Sequence, residues 1–84
     1  MIIEVCGPGC ARCHAVKDNI RKVLKELDLK EGDDVALVEI KDPKTMSARG
    51  VFITPGVVID GVKVSEGKVP RAEEIKGWIE ERRK

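Results

Sequence analysis

Three cysteines stand within the first thirteen residues, and two of them form Cys10-Ala11-Arg12-Cys13. A thiol becomes a strong nucleophile or a metal ligand only as its thiolate. Two cysteines separated by two residues can close a disulfide or share one soft metal ion. Three clustered cysteines in a chain of 84 residues point to redox or metal chemistry rather than to a framework of structural disulfides. Arg12 and His14 flank Cys13 and are candidate modulators of the site. Arg12 adds a fixed positive charge that favours a thiolate, and His14 adds one that switches near neutral pH.

The elements that must position these thiols follow from the periodicity of the chain. Ile2, Ile3 and Val5 predict a short buried strand over residues 1–5. Cys6-Gly7-Pro8-Gly9 interrupts regular structure. From Ala11 to about Leu29 the period becomes helical: Val16, Ile20, Val23, Leu24 and Leu27 share one face. Lys17, Asp18, Arg21, Lys22, Lys25 and Glu26 fill the other. Lys30-Glu31-Gly32-Asp33 reads as a loop, and Asp34 to Ile40 as a second buried strand, parallel to the first. Asp42-Pro43 predicts an N-cap followed by proline at the first helical position, opening a short helix to about Arg49 that Gly50 ends. Gly56 to Ile59 is a third strand, Asp60-Gly61 a two-residue hairpin turn, and Val62 to Ser65 a fourth strand. Gly67 to Pro70 is a turn. Pro70, Glu73 and Glu74 mark the start of a last helix with Ala72, Ile75, Trp78 and Ile79 at helical spacing. The order β-α-β-α-β-β-α predicts one α/β domain over residues 1–84. Its four-stranded mixed sheet would carry helices on both faces.

The cysteine pair falls where the first strand gives way to the first helix. Free amides and the helix dipole at that end favour a thiolate. Cys10 is therefore the expected nucleophile, and Cys13, one turn inward and shielded, the expected resolving thiol. Thr54-Pro55 stands directly before a buried strand, an unusual place for proline. A cis bond would turn the chain back toward the helix start, whereas a trans proline at the first strand position is the ordinary alternative.

Composition excludes several classes of function. Apolar types make up 42% and charged types 37%, which suits a soluble globule. Sixteen basic residues against fifteen acidic ones give no field for nucleic acid, and Phe52 and Trp78 are too few to stack bases. Trp78 and Met46 read as packing residues. The longest apolar run, Val35 to Val38, is far too short for a membrane helix. The N-terminus shows no signal peptide, so a cytoplasmic setting is expected.

The cysteines admit other readings. Cys10-x-x-Cys13-His14 is a haem-attachment pattern, but it requires export. Cys6-x3-Cys10-x2-Cys13 matches an iron–sulfur spacing found in much larger enzymes, and a fourth ligand is not apparent. The serious rival is a soft-metal protein holding copper or zinc on the same cysteines. That reading leaves Thr54-Pro55 unexplained, and copper carriers of this size end in a strand. Cys6 reads as a small buried hydrophobe, with a third redox thiol as the sharper alternative.

Three segments together carry a resemblance: Gly9-Cys10-Ala11-Arg12-Cys13, Gly50-Val51-Phe52-Ile53-Thr54-Pro55-Gly56-Val57-Val58-Ile59-Asp60-Gly61, and Ser65-Glu66-Gly67-Lys68-Val69-Pro70. Over nearly its whole length the chain resembles the small thioredoxin-like, glutaredoxin-sized redox-active disulfide proteins. The resemblance implies a thioredoxin-like fold and a cytoplasmic thiol–disulfide oxidoreductase. Pro55 would be cis beside the cysteine pair, Thr54 would offer backbone atoms to an extended substrate, and Gly67 would line the same groove. It implies no metal and no cofactor beyond a redox-active Cys10–Cys13 disulfide. The expected partners of a monomer are protein disulfides and a reductase or thiol donor. Two departures stand out: Gly9 replaces the tryptophan before the pair in ordinary thioredoxins, and Ala11-Arg12 replaces Gly-Pro within it. The reduction potential is therefore not carried over, and Gly67 alone speaks for glutathione.

Overall fold

The computed structural model describes residues 1–8 and 11–83. Strand β1 spans Ile2–Cys6, helix α1 Ala11–Glu26, β2 Ala36–Ile40, α2 Pro43–Ala48, β3 Gly56–Ile59, β4 Val62–Glu66 and α3 Ala72–Arg83. The strands form one mixed sheet in the order β2-β1-β3-β4. β1 pairs parallel with β2 and antiparallel with β3, and β3 and β4 form an antiparallel hairpin. The element order, mixed sheet and βαβ start are those expected from the sequence.

Alternation along β1 and β3 assigns the two faces. Ile3 and Val5 of β1, with Val57 and Ile59 of β3, join Val16, Ile20, Val23 and Leu24 of α1 and Ile75 and Ile79 of α3 in the main core. Cys6 and Val58 point the other way, into a smaller cluster with Met46 of α2 and Val51. Trp78 packs against the main core from its edge. Asp60 and Gly61 both have positive φ, 49° and 83°. That is the backbone of a tight hairpin turn whose twist matches the strands. The Asp60 carboxylate also accepts from the Ile2 amide at 2.8 Å, tying the turn to the start of β1.

Three expectations need correction. First, α1 ends at Glu26, not near Leu29. Asp28 turns left-handed at φ 56°, the Leu29 amide donates to the Leu24 carbonyl and the Asp28 amide to Lys25. These two bonds satisfy carbonyls the helix end would leave open. Leu27 and Leu29 still pack on the core, which is why the apolar period runs past the helix. Second, β2 is shorter than residues 34–40 and is not buried. It is an edge strand, with Val38 exposed. Third, Lys17 is not on the polar face of α1 but buried, with its amine on Glu39 of β2.

Helix α2 has the predicted start. Asp42 accepts from the Thr45 amide at 3.2 Å, Pro43 occupies the first turn, and Gly50, at φ 77°, follows the C-terminus.

Candidate functional site

The end of β1, the first turn of α1, the loop into β3 and the turn after β4 converge at one rim of the sheet. Gly9 and Cys10 lie outside the described residues, so the expected nucleophile is not part of this geometry. Cys13 is buried at 3% exposure. Its sulfur packs directly on Gly7: a Cβ built there would overlap Sγ and stand 3.7 Å from Thr54 Cβ. The Gly7 amide donates to the Ile40 carbonyl at 2.9 Å, which prolongs the β1–β2 ladder and holds Gly7 in place. Gly7, Cys13 and Thr54 thus meet at one point.

The Thr54–Pro55 peptide bond is cis. Pro55 is fully buried and Thr54 half-buried. A proline here costs the sheet no hydrogen bond, because β3 pairing begins at Gly56, opposite Cys6 and Glu66.

Gly67 binds this loop to the rest of the rim. Its amide donates to the carbonyls of Ile53 at 3.1 Å and Pro55 at 2.9 Å, and its carbonyl accepts from Arg12 Nη2 at 3.0 Å. Its φ of 75° favours glycine, and a Cβ there would press on Ile53 at 3.0 Å. Arg12, expected to supply charge beside the pair, therefore also bridges the first turn of α1 to the turn after β4. His14 is exposed on α1.

Four participants carry no functional signature of their own in the sequence: Gly7, Glu66, Phe52 and Ile53. Gly7 read only as a chain breaker, yet its missing side chain is what admits Cys13. Glu66 reads only as one residue of the Ser65–Pro70 segment. Its carboxylate accepts from the amides of Phe52 at 2.5 Å and Ile53 at 3.1 Å and from Lys63 Nζ at 2.9 Å. The Phe52 amide first, then Lys63 and the Ile53 amide, hold its pKa down to about 2. Phe52 and Ile53 themselves are exposed at 75% and 63%, an apolar pair on the loop just before Thr54. An apolar triplet between Gly50 and Thr54, outside any strand, was the available signal.

Cys6 stands apart from this rim. Its thiol is free and fully buried in the α2-side cluster. Burial, then the charge of Glu4, raises its pKa, and Arg49 opposes the shift. Burial of this kind disfavours the thiolate. Arg49 grips Glu4 through two nitrogens at 3.0 and 3.1 Å. Among the described residues no three His, Cys, Asp or Glu side chains group as a metal site. Among them, too, no helix is long and apolar enough to cross a membrane.

Comparison with known proteins agrees with this architecture. Residues 1–80 match the family model described as a thioredoxin domain. A thioredoxin of Methanocaldococcus jannaschii is 41% identical over 76 residues, covering 90% of this chain and 83% of the relative. A thioredoxin of Methanothermobacter thermautotrophicus is 36% identical over 76 residues, covering 90% and 94%.

Proposed function

The chain belongs to the thioredoxin family, and on that premise we propose that it is a thiol–disulfide oxidoreductase working through Cys10 and Cys13. The observation that carries the reading is the setting of Cys13. It is buried in the first turn of α1 and packed on Gly7, which in turn adjoins Thr54 on the loop that bears the Thr54–Pro55 bond. A shielded second thiol at that place suits a resolving role. It is withheld from solvent and from bulky disulfides but open to a sulfur bonded to its neighbour.

The Cys10 thiolate attacks one sulfur of a substrate disulfide. The S–S bond breaks, one substrate sulfur leaves as a thiol, and a mixed disulfide forms. Cys13 then attacks Cys10, the second substrate thiol leaves, and the protein is left with a Cys10–Cys13 disulfide. Two electrons have passed to the substrate, and a reductase or thiol donor returns them. Thr54, Pro55 and Gly67 line the approach to the pair. The exposed Phe52 and Ile53 beside them would meet an unfolded or extended protein substrate in a cytoplasmic, reducing setting.

Trapping tests the reading. Cys13→Ser should accumulate a covalent mixed disulfide with a reducible protein such as insulin, and Cys10→Ser should not. Equal trapping by both variants overturns the division of roles. Stoichiometric copper or zinc in the purified reduced protein, without disulfide reduction, overturns the activity itself.

A further inference from the structure

Burying an ammonium group is costly unless the site uses or compensates it. Lys17 is 7% exposed on the face of α1 that carries Cys13, one turn further along the helix. Residues four apart on a helix are neighbours, with Cβ atoms about 6 Å apart. The Lys17 amine is held by the Glu39 carboxylate, which lies on β2 opposite Val5 and is itself partly exposed. Glu39 immediately precedes Ile40, whose carbonyl holds the amide of Gly7, the residue on which the Cys13 sulfur rests. Lys17 thus lies one turn beyond Cys13 on the buried face of α1, and its partner Glu39 lies one residue before the strand position that holds Gly7.

The other charges near this end of the molecule are less well placed to act. Arg12 donates to the Gly67 carbonyl and lies in solvent, as does His14. Lys41 approaches the outer oxygen of Glu39 at 3.6 Å and is exposed. Glu4 and Arg49 neutralise each other on the opposite face of the sheet. Lys68 pairs with Glu74 at the start of α3. Fields from exposed groups are screened, and that of a buried amine much less so.

Resting on the dithiol reading above, we propose that Lys17 and Glu39 set the poise of the Cys10–Cys13 couple. Lys17 favours the dithiol by stabilising negative charge at Cys13, and Glu39 holds that amine in place while tempering its effect. Lys17 is then a positioning residue for charge, not a catalytic one. A purely mechanical role, pinning α1 to the edge strand, makes a different prediction. Loss of either partner would loosen the same contact and move every property in the same direction.

The test is equilibrium with glutathione at one fixed, mildly alkaline pH for all variants. The protein dithiol and glutathione disulfide exchange to give the protein disulfide and two molecules of glutathione, with two electrons passing to glutathione. Lys17→Met should raise the equilibrium constant for protein oxidation by about threefold or more. Glu39→Gln should lower it, and Lys17→Arg should stay near wild type; tenfold corresponds to about 30 mV for such a couple. Shifts of the same sign in Lys17→Met and Glu39→Gln, or none in a folded Glu39→Gln protein, overturn the proposal. The wild type is mapped first by mass spectrometry. If it forms no Cys10–Cys13 disulfide, the oxidoreductase reading fails and the proposal with it. If it forms one and the variants do not diverge, the proposal alone fails.

Discussion

Six residues separate Phe52, three-quarters exposed on the loop before Thr54, from Ile59, which has no accessible surface in the centre of the sheet. The two mark different regions of one small molecule. The body, made of β1, β3, α1 and α3, is held by apolar side chains packed from both elements of each contact. The rim, made of Gly7, the loop into β3 and the turn after β4, is held by a few directed hydrogen bonds. Arg12, Gly67 and Glu66 supply several of them. The contrast explains how a chain of 84 residues can be stable and still present apolar groups and a shielded thiol at one end. The body contributes the stability, and the rim needs only enough of it to keep its shape. The sharpest way to break this division is Ile59→Ala. Deleting that much buried side chain leaves a cavity and should cost about 3 kcal/mol. Chemical denaturation measures it. A loss below about 1 kcal/mol would mean that the body is not where the stability lies.

Glycines test the same boundary at closer range. Gly7 belongs to the rim and touches Cys13, whereas Gly77 lies in the middle of α3 with nothing within 4 Å of its would-be Cβ. Gly7→Ala forces a methyl group onto the Cys13 sulfur and should cost about 1–3 kcal/mol through overpacking. It should also slow resolution, so that a mixed disulfide with substrate persists several-fold longer than in the wild type. Gly77→Ala should stabilise by about 0.5–1 kcal/mol, the ordinary gain of alanine over glycine within a helix, and leave resolution untouched. Thermal unfolding and quenched gel assays read both. A Gly7→Ala protein that resolves at the wild-type rate would show that Cys13 does not depend on this contact.

The body was legible in the sequence and the rim only in part, for the same physical reason. Burial between helix and sheet imposes a period, so Val16, Ile20 and Ile75, or the run from Gly56 to Ile59, announce their elements. The rim depends on close approaches between residues far apart in the chain, and these leave no period. Thr54-Pro55 stands out by its place before a buried strand and Gly67 through resemblance, whereas Gly7 and Glu66 carry no such mark. The sequence shows the charge of Arg12 but not its bridge to Gly67. Lys17 shows how polarity misleads. An amine with a carboxylate partner across the sheet edge can sit inside, and the partner is not visible from the helix pattern. The end of α1 shows the reverse, since Leu27 and Leu29 keep their core contacts after the helix has stopped.

Glu66 gives the mildest and most selective probe of the rim. Its carboxylate closes the amides of Phe52 and Ile53 and takes Lys63, which in turn donates to the Gly50 carbonyl at 3.0 Å. The folded-state pKa of about 2 lies below the ordinary value of 4.5. A depressed carboxylate binds fewer protons folded than unfolded, so stability rises with pH between the two values. Its contribution is fully present above pH 4.5 and is lost as pH falls through about 2. Glu66→Gln keeps the shape and removes the charge. Wild type should therefore be more stable than the variant at neutral pH, and the gap should close as the pH is lowered through that window. The group lies at the surface, so the gap is expected to be small and to shrink with added salt. Hydrogen exchange at the amides of Phe52 and Ile53 should quicken in the variant while the amides of Val57 and Ile59 stay slow. Loss of protection in β3 as well would show that the rim and the body are one cooperative unit.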